Sequence, residues 1–359
     1  MKKIYYITAV FATLFLVGCG DGIDLPGVNV ETDLNKIPLP DNNVNLEQVE
    51  LKPSTEPMLH EGLHTEEDFQ RIRDKKAAGE EPWVSAYQLL VESQFSQKTA
   101  DTYPTEWIKR GVSGDENYMN AARGATIAYQ QALRWKIEQD DEYAAKAVEN
   151  LNKWVQTCVG VTGNTNLSLA AGLYGYEFAI AGELLRDYEG WDRADFAAFQ
   201  NWLLKVFYPA NDDFLKRHHD TNALHYWANW CLCNIAAKMA IGIVTDRRDI
   251  YNEGIAHLQT GDTNGRLRRA IYHDYAPDYN FAQWQESGRD QGHTLMCVGL
   301  MGIICQLAWS QGDDFFAYDD NLFLRACEYA ACCNYTNETV PYTTYIWQKQ
   351  SQWGYPIPE

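Results

Sequence analysis

From about residue 65 onward, apolar positions recur at spacings of three and four residues, the pattern of amphipathic helices. No segment alternates between apolar and polar residues in the manner of a strand. Thr65 with Asp68 forms an approximate capping box, and Pro82 is placed to open a second helix. The pattern therefore predicts an all-α chain, with further helices at 117–138, 141–158, 167–188, 192–207, 222–244, 248–259, 290–311 and 320–334.

These helices differ in how much of their surface is apolar. The stretch 295–309, "LMCVGLMGIICQLAW", is apolar almost all round, whereas 141–158 carries a single apolar stripe. A helix that is apolar on all sides must be buried on all sides. Alternation of fully and half-buried helices predicts a two-layer ring, an α/α toroid built as an incomplete barrel of helical hairpins. A superhelix of helix pairs is the alternative, although no repeat period is found.

The N-terminus has the features of an export signal. Lys2 and Lys3 precede an apolar run too short for a membrane span, which ends in "LVGC" at 16–19. This sequence resembles a lipobox and predicts a lipoprotein signal peptide at 1–19, with lipidation of Cys19; an ordinary signal peptide is the alternative. Polar residues 20–60 predict a flexible tether, and 61–359 a catalytic domain. The expected location is periplasmic or anchored at the outer membrane.

Composition narrows the function classes. The formal net charge of −19 argues against nucleic acid as a partner, and an anionic substrate requires a local basic cleft. The 12 Trp and 22 Tyr suit stacking on sugar rings, or equally an aromatic-rich core. Apart from Cys19, the cysteines lie in apolar helical stretches without metal-ligand spacing and are predicted to be mainly small buried apolar residues, with one disulfide as the alternative. We expect no metal, no cofactor and a monomeric protein.

The first candidate segment is "TNALHYWANW", residues 221–230. A helix that starts at 222 would place Asn222, His225 and Asn229 on one face. Its first turn, capped by Asp220 or Thr221, would favour a bound carboxylate. The alternative is a hydrogen-bonded histidine in an aromatic core.

The second segment, "RLRRAIYHDYAPDY", covers 266–279. Arg266, Arg268 and Arg269 supply positive charge in an acidic protein, and four ring side chains follow (Tyr272, His273, Tyr275 and Tyr279). An arginine can neutralise a substrate carboxylate and lower the pKa of a nearby phenol. A solvated basic helix end with packed tyrosines is the alternative.

The third segment, "QWQESGRDQGHT", covers 283–294. Arg289 and His293 are four residues apart and are predicted to share a face once the helix starts, with Ser287 or Asp290 as its cap. Glu286 and Asp290 also form a possible glycosidase pair of carboxylates.

Together, roughly residues 60–350 resemble the alginate lyase domain superfamily, whose members include polysaccharide lyase families 5 and 38. The family 5 pattern is an Asn-His pair before Tyr-Trp, followed by an arginine seven residues ahead of a tyrosine. The second element matches Arg268 and Tyr275. In the first, Asn222 and His225 are separated by two residues, and His225 adjoins Tyr226 and Trp227.

The resemblance implies an α/α toroid without an obligatory metal, acting by β-elimination on a uronic acid polymer. It implies that Asn222 and Arg268 hold the carboxylate at the reacting sugar and that His225 or Tyr275 removes its C5 proton. Tyr275 would return a proton to the leaving O4, with Tyr272 as the alternative tyrosine. The implied substrate-binding residues are Tyr226, Trp227, Tyr272, Arg289 and His293.

Two other functions remain open from the sequence. A glycan-binding surface lipoprotein would use the aromatic residues but not the Arg268 and Tyr275 pair. An α/α-toroid glycoside hydrolase would use Glu286 and Asp290 as acid and base, and its products would be saturated sugars.

Overall fold

The computed structural model describes residues 55–335 and 340–343. Within these ranges the chain is predominantly helical and contains four short strands. The α-helices are α1 Glu66–Ala77, α2 Trp83–Glu92, α3 Tyr118–Glu138, α4 Asp141–Thr157, α5 Leu167–Leu184, α6 Arg193–Val206, α7 Tyr208–Arg217, α8 Ala228–Val244, α9 Arg248–Thr260, α10 Leu267–Ala270, α11 Gln291–Ser310 and α12 Tyr318–Tyr335. The strands are β1 Trp107–Arg110, β2 Gly160–Gly163, β3 Ile271–Asp274 and β4 Ala282–Trp284. The predicted signal peptide, Cys19 and the tether up to residue 54 lie outside the described residues.

Most of the predicted helices are confirmed to within a few residues. The capping box at α1 is present, since the Asp68 N–H donates to Thr65 Oγ1 at 3.2 Å and the Thr65 N–H donates to Asp68 Oδ2 at 2.9 Å. Pro82 is the N-cap of α2. Local signals of this kind are sufficient because each acts within one turn of helix.

Two predicted helix bounds are wrong, and the strands and one helix were not predicted. The helix expected from 222 begins at Ala228, and the one expected to end at 188 ends at Leu184. The four strands were not predicted, because three or four residues are too few for an alternating pattern to show. Helix α7 was not predicted; its Pro209 is compatible with the first turn of a helix.

The described residues form two compact units. The first comprises Glu56–Asp212 and Ala237–Tyr251, and the second comprises Asp213–Ala236 and the chain from Asn252 onward. The chain passes between them within helices α7, α8 and α9.

In the first unit, α3 packs against α4 and α5 around an aromatic core. The Phe178 ring lies at its centre, 5.3 Å from Trp154, 5.2 Å from Trp202 and 5.9 Å from Phe207 by ring centroids. All four side chains are almost fully buried. Aromatic pairs at these distances stabilise a core beyond the area that they bury.

Strands β1 and β2 of the first unit pair in parallel, with Trp107 opposite Gly160 and Arg110 opposite Gly163. Gly163 has a φ of +140°, and a Cβ there would lie 1.7 Å from the Arg110 carbonyl oxygen. Only glycine fits this close approach. The pairing therefore fixes the position of Arg110.

In the second unit, the antiparallel strands β3 and β4 contact helix α12. Trp284 on β4 is fully buried, and its indole N–H donates to the Ala326 carbonyl at 3.0 Å. The β3–β4 hairpin and the turn that follows it carry most of the polar side chains described below.

Helix α11 is the apolar helix predicted from 295–309. Among the described helices it is the one long and apolar enough to cross a membrane, and more than half of that stretch is buried inside the protein, as in a core helix.

The eight cysteines of the described residues are free thiols, and five of them are buried (Cys158, Cys231, Cys233, Cys297 and Cys305). Burial raises the pKa of Cys158 to about 11, which keeps its thiol neutral. They pack as small apolar side chains, as their positions in helices predict.

Candidate active site

The segment 221–227 is a loop, and not the first turns of a helix. Asn222 closes a turn in it, accepting at Oδ1 from the Leu224 N–H at 2.8 Å and at its carbonyl from the His225 N–H at 2.9 Å. His225 is exposed, whereas Asn229 is buried in the first turn of α8. The three residues therefore do not share a helical face as the sequence pattern suggested.

The start of α8 is bonded by side chains from the turn after β4. The Ala228 N–H donates to Gln285 Oε1 at 2.8 Å, and the Asn229 N–H donates to Glu286 Oε1 at 3.0 Å. A carboxylate favours this end of a helix because the N-terminal amides carry partial positive charge. The anion that the sequence pattern assigned to a substrate is here the protein's own Glu286, which is fully buried.

The loop before α8 is also held from the side. The Asn264 amide nitrogen donates to the carbonyl oxygens of Leu224 at 3.1 Å and Tyr226 at 2.8 Å. Asn264 is almost fully buried. Segment 222–229 is thereby bound to segment 264–289, so two of the segments singled out from the sequence lie together in the second unit.

The two aromatic residues of the loop have different surroundings. Tyr226 is buried, with its ring 5.1 Å from Phe214 and 4.7 Å from Trp230 between centroids. Trp227 is half-buried. Trp227 is therefore the better placed of the two to present a ring face to a ligand.

Trp227 is joined to the third segment through Arg289. The Arg289 guanidinium lies 5.1 Å from the Trp227 ring centroid, and its Nη1 donates to Glu286 Oε2 at 3.2 Å. This cation–π contact and the buried carboxylate hold Arg289 in one orientation. Arg289 precedes helix α11, so it does not share a helical face with His293.

His293 and Asp290 form the cap of α11. Asp290 accepts from the His293 N–H at 2.8 Å, and its Oδ2 lies 2.6 Å from His293 Nδ1. Burial raises the pKa of Asp290, but its hydrogen bonds to His293 outweigh this and hold that pKa below its usual range. Asp290 is thus the N-cap of α11, which confirms one of the two residues, Ser287 or Asp290, that the sequence offered for this position.

The β3–β4 hairpin brings the two candidate tyrosines together. The Tyr275 hydroxyl donates to Gln283 Oε1 at 2.5 Å and to Thr343 Oγ1 at 3.0 Å. The Gln283 amide nitrogen donates to the Tyr272 hydroxyl at 3.0 Å, and the Tyr272 hydroxyl donates to the Thr343 carbonyl. The His273 ring lies against Tyr275 with 4.5 Å between centroids. Both phenols are thus fixed by the same two partners.

Burial raises the pKa of the Tyr275 phenol above its usual value. The expectation that a neighbouring arginine lowers this pKa is therefore wrong for this state of the protein. Tyr275 is a neutral proton donor at neutral pH.

Arg268 is buried and forms an ion pair with Asp319 at the start of α12. Burial lowers the pKa of its guanidinium from the usual value. Arg268 and Tyr275 stand seven residues apart, but in the structure the guanidinium is paired with Asp319 and the phenol with Gln283 and Thr343.

Several residues of the site were not identified from the sequence. Asn264, Gln283 and Thr343 act through contacts with residues distant along the chain, and no local pattern marks them. Glu286 was noted as a possible catalytic acid, but it is closed to solvent and bonded to Asn229, Arg289 and the Cys297 thiol. Within the described residues, no group of three or more His, Cys, Asp or Glu side chains could hold a metal ion.

Comparison with known proteins places this site in context. The model of the family described as "Alginate lyase" matches residues 72–338. No curated protein sequence matches the chain significantly.

Several solved structures with a similar fold are alginate lyases. A histidine-to-alanine variant of alginate lyase A1-III, complexed with tetrasaccharide, has a TM-score of 0.57 at 14% identity, over 76% of this chain and 78% of its own. Alginate lyase A1-III from Sphingomonas species A1 has a TM-score of 0.54 at 13% identity, over 77% and 80%. An alginate lyase from Bacteroides ovatus has a TM-score of 0.53 at 13% identity, over 74% and 81%.

These likenesses confirm the predicted fold class, all-α and of the α/α-toroid type. The family match covers most of the chain and confirms the resemblance found in the sequence. This chain belongs to the alginate lyase family and is a polysaccharide lyase.

Proposed function

We propose that the chain cleaves alginate or a related polyuronate by β-elimination, leaving a 4,5-unsaturated uronate at the new non-reducing end. The observation that carries this proposal is the bonding of segment 222–229 to segment 264–289 by Asn264, Gln285 and Glu286. These bonds join the segment of His225 to that of Arg289, and Arg268 and Tyr275 belong to the same unit of this alginate lyase family member.

The proposed chemistry assigns separate tasks to the exposed histidine and the half-buried phenol of Tyr275. The C5 proton of a uronate is weakly acidic while the adjacent carboxylate is ionised. Hydrogen-bond donors from Asn222 and Arg268 therefore stabilise the negative charge that develops on this carboxylate when the proton leaves. His225 is the base that removes this proton. Tyr275 is the acid that protonates the leaving O4, because its raised pKa keeps the phenol protonated.

Positioning of the polymer falls to the neighbouring residues. Arg289, held against Trp227, is oriented to bind the carboxylate of an adjacent sugar, and Trp227 offers a ring face for stacking. His293 lies four residues further along and contributes a second polar contact. Arg268 must exchange Asp319 for the substrate carboxylate to take part in catalysis.

The proposal is tested by incubating the protein with alginate, polymannuronate, polyguluronate and glucuronan while following the ultraviolet absorbance of the unsaturated product. A rise with at least one polymer is expected. No rise with any of the four, from a sample with an intact circular dichroism spectrum, contradicts the proposal. Products heavier by one water would instead indicate the hydrolase that uses Glu286 and Asp290.

The pH dependence of kcat provides a second test. Because burial raises the pKa of Tyr275, the acid that protonates O4 stays in its active form until the pH exceeds the ordinary tyrosine value of about 10. We expect the alkaline limb of the kcat profile to lie above that value. A limb near neutrality, at pH values where the fold is intact by near-ultraviolet circular dichroism, would assign the acid to another group.

We further propose that the protein is exported and anchored by a lipid on Cys19, on the basis of the lipobox "LVGC". Expression of the full sequence in a bacterium should place it in the membrane fraction, and Cys19→Ala should release it. Equal recovery of both forms in the soluble fraction would contradict the anchor. The polymer is then expected to meet the enzyme outside the cytoplasm.

A further inference from the structure

Arg110, at the end of β1 in the first unit, is a buried cation without a counter-ion. The residue is 5% exposed, Nη1 is closed to solvent, and the guanidinium makes no hydrogen bond or ion pair with any described residue. The other four buried arginines of the described chain are each paired with a carboxylate, as Arg134–Glu138, Arg186–Glu183, Arg268–Asp319 and Arg325–Asp274.

The surroundings hold this guanidinium in place and provide no anion for it. Its Cζ lies 4.6 Å from the ring centroid of Tyr118, which itself stacks on Tyr174 at 6.5 Å. Successive side chains of a strand point to opposite sides, and the preceding Lys109 pairs with Asp115 at 2.6 Å. The nearby Glu116 carboxylate accepts from the Gly111 N–H.

An unpaired buried charge costs stability, since its hydration is lost without compensation. In a chain with 49 acidic residues, a protein carboxylate could easily have been placed beside Arg110. Departures of this kind from stable packing occur at functional sites, where a ligand supplies the missing partner. A fixed, planar guanidinium is suited to a carboxylate, which it can bind through two parallel hydrogen bonds.

We propose that Arg110 is the centre of an anion-binding site in the first unit and that its ligand is the carboxylate of a uronic acid unit. The choice of a uronate rests on the proposed function, whereas the existence of an anion site rests on Arg110 and Tyr118 alone.

The test is isothermal titration of the full chain with a saturated oligouronate, in a Tyr275→Phe background to slow turnover. Arg110→Met keeps an unbranched apolar stem over Tyr118 and removes the charge, and Arg110→Lys keeps the charge without the planar fork. Arg123→Ala, which removes an exposed arginine from α3 of the same unit, is the matched control. The same oligosaccharide with its carboxyl groups reduced to alcohols serves as the neutral ligand.

We expect Arg110→Met to raise the Kd for the oligouronate by about 10- to 100-fold. The Kd of Arg110→Lys should lie between those of Arg110→Met and the Arg123→Ala control. The Kd for the carboxyl-reduced ligand should be the same for all variants. Binding by Arg110→Met equal to that of Arg123→Ala overturns the proposal, as does an equal loss for both ligands. A Tm of Arg110→Met below that of Arg123→Ala would assign Arg110 a structural role, with the same consequence.

The outcomes separate this site from the lyase activity. Oligouronate binding that depends on Arg110, in a chain that forms no unsaturated product from any polyuronate, refutes the proposed function and supports the site. The opposite outcome has two parts. Arg110→Met in the chain that keeps Tyr275 forms unsaturated product with an unchanged KM, and Arg110→Met in the Tyr275→Phe chain binds the oligouronate with an unchanged Kd. This outcome refutes the site and supports the function.

Discussion

Replacement of Tyr275 by phenylalanine is expected to lower kcat by about 100- to 10,000-fold, the usual contribution of a general acid. The phenol is the proposed donor to the leaving O4, and phenylalanine keeps the ring that packs against His273 while removing that proton. Steady-state kinetics on the preferred polyuronate measure the effect. Tyr279→Phe is the matched control, because Tyr279 lies on the same segment and is 52% exposed.

The folded state should tolerate this change. Loss of the hydrogen bonds to Gln283 and Thr343 is expected to cost about 1 kcal/mol of unfolding free energy, too little to unfold the domain. If Tyr275→Phe keeps full activity and Tyr272→Phe loses it, Tyr272 is the proton donor to O4. If both variants are fully active, the proton donor is not in this hairpin.

Replacement of Glu286 by alanine is expected to reduce the unfolding free energy by about 3–5 kcal/mol, the cost of removing one partner of a buried ion pair. The change removes the closer of the two carboxylates beside Arg289, since Asp290 Oδ2 lies 3.9 Å from its Nε, and leaves the Asn229 N–H at the start of α8 without its acceptor. Urea denaturation followed by circular dichroism gives the measurement. Activity should fall as well, because Arg289 loses the contact that orients it beside Trp227.

Two further variants sharpen this prediction. Glu328→Ala removes an exposed glutamate from α12 of the same unit and should change stability by no more than about 0.5 kcal/mol. Glu286→Gln keeps an acceptor for the Asn229 N–H and should lose less stability than Glu286→Ala. A Glu286→Ala protein as stable as Glu328→Ala would show that the buried carboxylate is not a structural anchor.

The helical part of the fold could be predicted from the sequence, because each helix carries its own periodicity and caps. The start of α8 could not, since Ala228 and Asn229 find their acceptors on Gln285 and Glu286, 57 residues away. The local pattern predicted a carboxylate at a helix start at 222, whereas the carboxylate lies at the start of α8 near Asn229 and belongs to the protein.

The candidate site shows the same division. The segments that bear Tyr272, Tyr275 and Arg289 stood out by residue type and spacing. The partners that decide their chemistry, Gln283 and Thr343, did not, because Thr343 lies 68 residues from Tyr275 along the chain. The spacing of Arg268 and Tyr275 gave no information about the pKa of the phenol, which depends on burial in the folded state.

The free cysteines have a consequence for how the protein can be produced. The eight described thiols form no disulfide. Burial raises the pKa of Cys231 to about 12. Burial also raises the pKa values of Cys297 and Cys305. Thiolates, and not thiols, undergo exchange and oxidation. Within residues 55–335 and 340–343 there is therefore no disulfide that an oxidant or a disulfide isomerase would have to form, and the buried thiols are poor partners for disulfide exchange.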